Sequence, residues 1–257
     1  MSRLTFGTLY SGSSGNSVFI ACDDDILLID AGKSARQTCA FVEELGGKVS
    51  NIRGVFVTHE HTDHVFGIPV LSKKGDFPVY IPSRCACALD CLPVRTVAFD
   101  CVETEIGPFR IKSFPTPHDS AMSVGYVVTV CGKKLGIATD MGILAKNVVE
   151  ELVGCYAAVI ECNYDPEMLR NGCYPYNLKE RIGGQRGHLS NEDGALLAAI
   201  LAHTGAKHLL LGHLSKENNT PEKALAAVGA EFEKRKVSAN VTVASRDCPT
   251  VLFDLVF

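Results

Sequence analysis

The chain of 257 residues contains no tryptophan, and aromatic residues make up only 7% of it. It therefore offers few stacking platforms for unpaired bases. It also has no apolar run near the roughly 20 residues that a membrane-spanning helix needs. A charged-then-apolar leader is missing after Met1, so a cytoplasmic protein without membrane contact is expected. No Gly/Ser or proline-rich linker, short repeat or low-complexity tract divides the chain, which predicts a single domain over residues 1–257. There is no surplus of positive charge: the net charge of −4 argues against coating nucleic acid through a global field, although a local basic patch is compatible with it. Finally, the eleven cysteines include no Cys-x-x-Cys pair. Their odd number and the missing export signal point to reduced, buried, small apolar residues. The densest group, Cys85, Cys87 and Cys91, lacks the usual spacing and fourth ligand of a structural zinc site.

What is present is an ordinary globular composition, 46% hydrophobic and 21% charged, long enough to bury a large core. Short β-branched and aromatic runs ("LTFGTLY", "SVFIAC", "ILLIDAG") separated by "SGSSGN" and "DDD" predict consecutive strands. Residues 34–46 carry helical spacing behind a Ser34 cap, and "IRGVFVTH" returns to strand. "FPVYI", "RTVAF", "FRIKSFP", "VGYVVTV" and "KLGIATD" repeat the theme, followed by a helix over 143–153 and the strand "YAAVIEC". Residues 164–187 read as an irregular connection. "SNEDGALLAAILAHTGA" then predicts a capped helix, "KHLLLGH" a strand, 220–236 a helix, and "NVTVAS" and "TVLFDLVF" the closing strands. Two strand-rich halves with helices predict an α/β fold, a four-layer αββα sandwich of two mixed sheets packed face to face with helices outside.

The chemistry concentrates in "GVFVTHEHTDHVFG", residues 54–67. Residues two apart point about 200° around a helix but to the same side of an extended segment, so His59 and His61 share a face only if the segment is extended. That distinguishes the motif from the helical zinc-protease signature, whose histidines lie four apart. Asp63 and His64, past a bend, would face a second position, so one loop offers ligands for two metals. Further ligand-type residues stand at the ends of apolar runs: Asp30, His118, Asp140 and His213.

This ordered set, Asp30, "HEHTDH", His118, Asp140 and His213, resembles the metallo-β-lactamase fold superfamily along nearly the whole chain. The resemblance implies that His59, His61 and His118 bind one divalent metal and that Asp63, His64 and His213 bind a second. Asp140 would bridge the two, and Asp30 would support the ligand loop. An all-nitrogen-and-oxygen site suits zinc, manganese or iron alike. Glu161 in "VIECNYD" and His188 in "GHLSNEDG" resemble the glutamate–histidine pair of RNase Z-like phosphodiesterases. "SGSSGN", "ECNYD", "RIGGQRGHLSNEDGA" and "HLSKENN" are similar to the YycJ/WalJ family of bacterial metallohydrolases. That family implies a dinuclear 5′-to-3′ DNA exonuclease of repair or DNA metabolism, with Asp63, Glu161 and His188 serving catalysis. A small-molecule hydrolase of the same fold, acting on a cyclic phosphodiester, ester, thioester or lactone, is the alternative. Lys179, Arg181, Arg186 and Lys216 cluster in sequence around the site, with Arg170 earlier, and with Ser13 and Asn16 of the glycine-rich turn they are the candidate phosphate contacts. Tyr164, Tyr174 and Tyr176 would help wall the groove. Oligomeric state is not encoded in any of these patterns.

Overall fold

The first strands form a meander: β1 (Arg3–Tyr10), β2 (Ser17–Cys22) and β3 (Asp25–Ile29) pair antiparallel in sequence order. Helix α1 (Ala35–Glu44) comes next, its start set by the Ser34 hydroxyl accepting from the Gln37 amide. The computed structural model describes residues 2–89 and 95–256. β4 (Ile52–Phe56) then pairs parallel with β3, and the one-turn helices α2 (Thr62–Val65) and α3 (Ile68–Leu71) lead to β5 (Val79–Ile81), α4 (Ser83–Ala88) and β6 (Thr96–Ala98).

The second half supplies β7 (Glu103–Ile106), β8 (Phe109–Pro115), β9 (Val124–Val130) and β10 (Lys133–Ala138). After them come α5 (Lys146–Leu152), β11 (Ala157–Glu161), α6 (Pro166–Asn171) and α7 (Tyr176–Ile182). The remaining elements are α8 (Asn191–His203), β12 (His208–Gly212), α9 (Pro221–Arg235), β13 (Asn240–Val243) and β14 (Thr250–Val256). One sheet has the order β14-β1-β2-β3-β4-β5-β6 and the other β13-β12-β11-β10-β9-β8-β7.

Three apolar layers hold these sheets and helices together. Phe6, Ile20, Leu27 and Phe56 from the first sheet meet Tyr126, Val128, Ile137 and Val159 from the second. Leu28, Val55 and Val79 on the first sheet's other face pack on Ala35 and Val42 of α1 and Leu71 of α3. Ala158, Ile160 and Leu211 on the second pack under α5, α8 and α9 through Val148, Leu197 and Val228. The expected αββα sandwich is therefore observed.

Three sequence expectations are corrected. The connection over residues 164–187 is not irregular: it holds α6 and α7. Asp165 caps α6, accepting from the Met168 amide at 2.8 Å, with Pro166 in the first turn. That start signal is masked because the two helices are short and glycines interrupt the segment. β7, with only four residues and a polar sequence, was absent from the expected elements. The cysteines are not uniformly buried, since Cys87, Cys101, Cys173 and Cys248 are exposed. Cys91 lies outside the described residues.

The turn after β3 is packed without room to spare. The Gly32 amide donates to the Asn16 carbonyl at 3.0 Å, and a Cβ on Gly32 would lie 1.7 Å from the Asp63 carbonyl oxygen. Gly32→Ala must therefore displace the backbone of α2, at a cost of at least the ~1–3 kcal/mol typical of overpacking. Calorimetry should show a melting temperature several degrees lower, at ~2–4 °C per kcal/mol. A variant melting with the native protein would mean that α2 yields freely.

Candidate metal centre

The site is built where apolar strands of both sheets end in residues that turn sharply. Asp30, Asp140 and His213 have φ of +65°, +59° and +56°, a left-handed conformation uncommon for non-glycine residues. Asp30 and His213 directly follow β3 and β12, and Asp140 follows β10 by two residues. Local strain of this kind persists only where the surrounding structure over-determines it. Here it turns three polar side chains from the sheets into one buried space.

Four overlapping groups of ligand-type atoms, each within 4.8 Å of one another, fill that space. They are His59, His61 and His118; His59, His64 and Asp140; Asp63, His64 and His213; and Asp140, Glu161, His188 and His213. His59 and His61 share a side because the chain is extended up to His61, which is the N-cap of α2; Asp63 and His64 turn away within that helix.

Partners behind the cluster aim its histidines. The Asp30 carboxylate accepts from the Thr58 amide and hydroxyl at 2.8 Å each and lies 2.8 Å from His64 Nδ1. The Thr58 hydroxyl is also 3.0 Å from His59 Nδ1. With both Nδ1 atoms protonated as donors, Nε2 of His59 and of His64 is the ring atom turned toward the cluster. His118 Nδ1 donates to the Gly187 carbonyl at 2.9 Å, which likewise turns its Nε2 toward the cluster, 3.3 Å from His61 Nδ1. Glu161 Oε1 lies 2.7 Å from His188 Nδ1 and 3.1 Å from His213 Nδ1, so it holds two histidines where the sequence suggested one. Its Oε2 accepts from the Met141 amide at 2.8 Å, which anchors the Asp140 turn.

Among the residues of these four groups, two buried side-chain atoms have no hydrogen-bond partner: His59 Nε2 and Asp140 Oδ2. The latter is 3.3 Å from His64 Nε2 but outside hydrogen-bond geometry. Buried polar atoms are normally satisfied, so a bare imidazole nitrogen and a bare carboxylate oxygen facing one space fit a metal cation. The nitrogen-and-oxygen donor set fits a divalent ion of the zinc, manganese or iron type.

The metal-free electrostatics describe the same need for positive charge. Burial works to lower His64 and His213, but carboxylates overcome it. Asp140, Asp30 and Asp63 hold His64 well above its ordinary value, and Asp140, Asp63 and Glu161 push His213 up to about 10. Burial opposes ionisation of Asp140 too, yet His213, His64, His59 and His118 hold it well below the usual carboxylate range. His59, buried among other histidines, is held well below its usual value. Protons on His64 and His213 thus occupy the electrostatic role that a cation would take.

The expected phosphate contacts divide. Lys216 is exposed. Lys179 donates to the Arg170 carbonyl at 2.8 Å, and Arg181 pairs with Asp119. Arg186 braces the His118 loop: its Nε and one Nη donate to the His118 carbonyl at 2.9 and 2.7 Å, and the same Nη to that of Ser120 at 3.3 Å. Asn16 is likewise engaged within the protein. Its amide donates to the Gly12 carbonyl and touches Asp63 Oδ2 at 3.3 Å and His64 Nε2 at 3.2 Å, and its side-chain oxygen accepts from the Gly12 amide and Ser11 hydroxyl. Ser13 is exposed in the neighbouring loop. Tyr176 is the most exposed of the three tyrosines. Sequence reading missed Thr58, whose signal was its place directly before His59, and Asn163, which donates to the His213 carbonyl at 2.8 Å. It also missed Asp119, whose buried Oδ1 lies 3.3 Å from His118 Nε2.

Comparison with known proteins agrees with this architecture. Residues 26–214 match the beta-lactamase superfamily domain. The chain is 36% identical over 240 residues to "Exodeoxyribonuclease YycJ" of Bacillus anthracis, covering 90% of each chain. It is 33% identical over 227 residues to "Exodeoxyribonuclease WalJ" of Streptococcus pneumoniae, covering 85% of this chain and 84% of that one. In fold it is similar to the crystal structure of the metallo-beta-lactamase fold protein YhfI from Bacillus subtilis. The TM-score is 0.76 at 16% identity, over 98% of this chain and 100% of the other. Among the described residues no helix is long and apolar enough to cross a membrane.

Proposed function

Because this chain belongs to the β-lactamase superfamily, and within it to the family of the YycJ and WalJ exodeoxyribonucleases, we propose that it is a metal-dependent hydrolase that removes nucleotides from an end of DNA. The observation that carries the reading is the pairing of His188 with Glu161 at 2.7 Å, 3.7 Å from Asp140. A polarised histidine beside a metal cage is suited to a leaving alkoxide oxygen, which needs a proton. Direction from 5′ to 3′ and a role in DNA repair are the finer form of the proposal.

In this reading His59, His61 and His118 would hold one divalent ion and Asp63, His64 and His213 another, with Asp140 a ligand available to either set. The chemistry such ions supply when bound is Lewis-acid activation of a water and neutralisation of phosphate charge. Asp63 Oδ2, held between His213 Nε2 at 3.4 Å and His64 Nε2 at 3.5 Å, stays ionised and orients that water. Glu161 holds the Nδ1 proton of His188, so Nε2 is the atom that delivers a proton to the leaving oxygen. Asp30 and Thr58 fix the histidine ring orientations, on which affinity for metals depends. Lys179, Arg181 and Lys216 are the proposed contacts of the DNA backbone.

The test is degradation of end-labelled duplex DNA and matching RNA with Mn²⁺ or Zn²⁺, beside His188→Ala. Stepwise shortening from a 5′ end of DNA is expected, slowed in the variant by ~10²–10⁴-fold, the usual contribution of a general acid. The variant's metal content should be unchanged. A variant that loses its metals together with its rate would make His188 a structural or ligating residue. A metal-loaded protein that cleaves a cyclic phosphate or an ester and no nucleic acid would establish the small-molecule alternative.

A further inference from the structure

A groove of about 620 Å³ opens beside the metal centre, shared with it through Asp63. Phe66 lines it and is 61% exposed, whereas Phe6, Phe19, Phe56, Phe77, Phe109 and Phe114 are fully buried. Phe66 stands three residues after Asp63, across the single turn of α2, and residues at that spacing lie on one helix face. An apolar ring is thus presented to solvent within one helical turn of a carboxylate of the proposed metal cage. A larger cavity, about 730 Å³ between α8 and α9, is lined by none of the cluster residues.

The charges of the groove select its occupant. Among its described lining residues the cation is Lys33, whose ammonium is already held by the Arg246 carbonyl at 2.6 Å and by Asp247 at 3.0 Å. Against it stand the carboxylates of Asp63 and Asp247. With no surplus of positive charge the groove does not favour a phosphate. An uncharged planar ring is suited to it, with Ser13, Ser34 and Gln37 supplying hydroxyl and amide groups along its edge.

From this, and resting on the nuclease reading above, we infer that the groove is a nucleoside subsite in which a nucleobase of the DNA strand stacks on Phe66, presenting the adjoining phosphodiester to the metal centre. Ser13 then meets a base or sugar edge rather than a phosphate. Stacking of this kind is tolerant of sequence because every base has a π-face, as an enzyme that works along a strand requires. It also assigns a use to one of the few aromatic residues that this chain exposes.

The absence of tryptophan makes a direct test possible, because Phe66→Trp places a lone tryptophan, selectively excitable over the seven tyrosines, in the groove of the intact, metal-loaded protein. A hydrolysis-resistant phosphorothioate oligothymidylate is expected to quench its emission, while an oligomer of the same length that is abasic throughout is not. Phe66→Ala should raise the KM for the oligonucleotide by about tenfold, with a much smaller change in kcat, and that difference should disappear on the abasic oligomer. Absence of quenching by an oligothymidylate shown by anisotropy to bind, or a Phe66→Ala variant with native KM, would overturn the subsite while leaving the nuclease reading intact. A native protein that neither binds nor cleaves any oligonucleotide would overturn both.

Discussion

Asp140→Ala is expected to leave a protein without measurable metal-dependent hydrolysis and with reduced metal content. Asp140 is 1% exposed, and no other described carboxylate is in ion-pair range of four histidines. Oδ1 is 3.4 Å from His213 Nδ1, 3.7 Å from His188 Nδ1 and 3.8 Å from His118 Nε2, and Oδ2 is 3.3 Å from His64 Nε2. Removing it deletes the proposed bridging ligand and leaves buried imidazolium charge uncompensated, which costs ~3–5 kcal/mol in comparable buried pairs. The rate should fall by at least the ~10²–10³-fold that losing a single charge-stabilising group costs.

Alanine is also disfavoured at a φ of +59°, so Asp140→Asn is the sharper substitution. Asparagine accepts the left-handed conformation and keeps the volume, losing only the charge. Metal content by mass spectrometry and the hydrolysis rate should fall together in both variants. An Asp140→Asn protein that retains its full metal content and rate would remove Asp140 from the metal centre.

The second large effect concerns metal removal. At free metal ~1,000-fold above Kd, binding stabilises the folded state by about 4 kcal/mol. Chelation should therefore lower the melting temperature by on the order of 10 °C. The size of that drop is expected to depend on pH. In the metal-free protein His213 is pushed up to about 10 from an unfolded value of ~6.5. A raised value means that the proton's contribution to stability is complete below the unfolded value and is lost as pH rises through the folded one.

Metal-free protein should accordingly melt progressively lower from pH 7 to pH 10, while the metal-loaded protein, whose cation replaces the proton, stays nearly level across that window. The same exchange requires metal binding near pH 7.5 to release protons. It is measurable by titration calorimetry in two buffers of different ionisation enthalpy. A metal-free melting temperature that is level from pH 7 to 10, together with no buffer dependence, would show that His213 and His64 do not carry the protons that offset the carboxylates.

The readings that the sequence supported most directly were those encoded by near neighbours. The strands "FRIKSFP" and "VGYVVTV" have the expected limits because the first alternates buried Phe109 and Ile111 with the more exposed Arg110 and Lys112, and the second is a nearly continuous buried run rich in valine. α8 begins at the expected Ser190 cap, whose hydroxyl accepts from the Asp193 amide. α6 and α7 were hidden because helices of six and seven residues carry too few turns for an apolar period to emerge. β7 was hidden because an edge strand with half its residues exposed has no apolar run. The protein partners of Arg186 and Asn16 were hidden for a different reason: a charge or an amide shows its type in the sequence but not its partner.

By itself the sequence determined that polar, ligand-type residues stand where apolar strands stop, and that His59 and His61 share a side. Both results come from the period of an extended chain and need only adjacent residues. The tertiary structure alone decided which of those strand ends meet. β14 returns across the whole chain to pair with β1. The Ser11 hydroxyl accepts from the His213 amide, and the Gly187 carbonyl accepts from His118 Nδ1. It alone left His59 Nε2 and Asp140 Oδ2 bare and Phe66 in the open. Such facts depend on contacts between residues far apart in sequence, whose geometry is set by how two sheets pack and by which buried donors remain after every nearer partner has been satisfied.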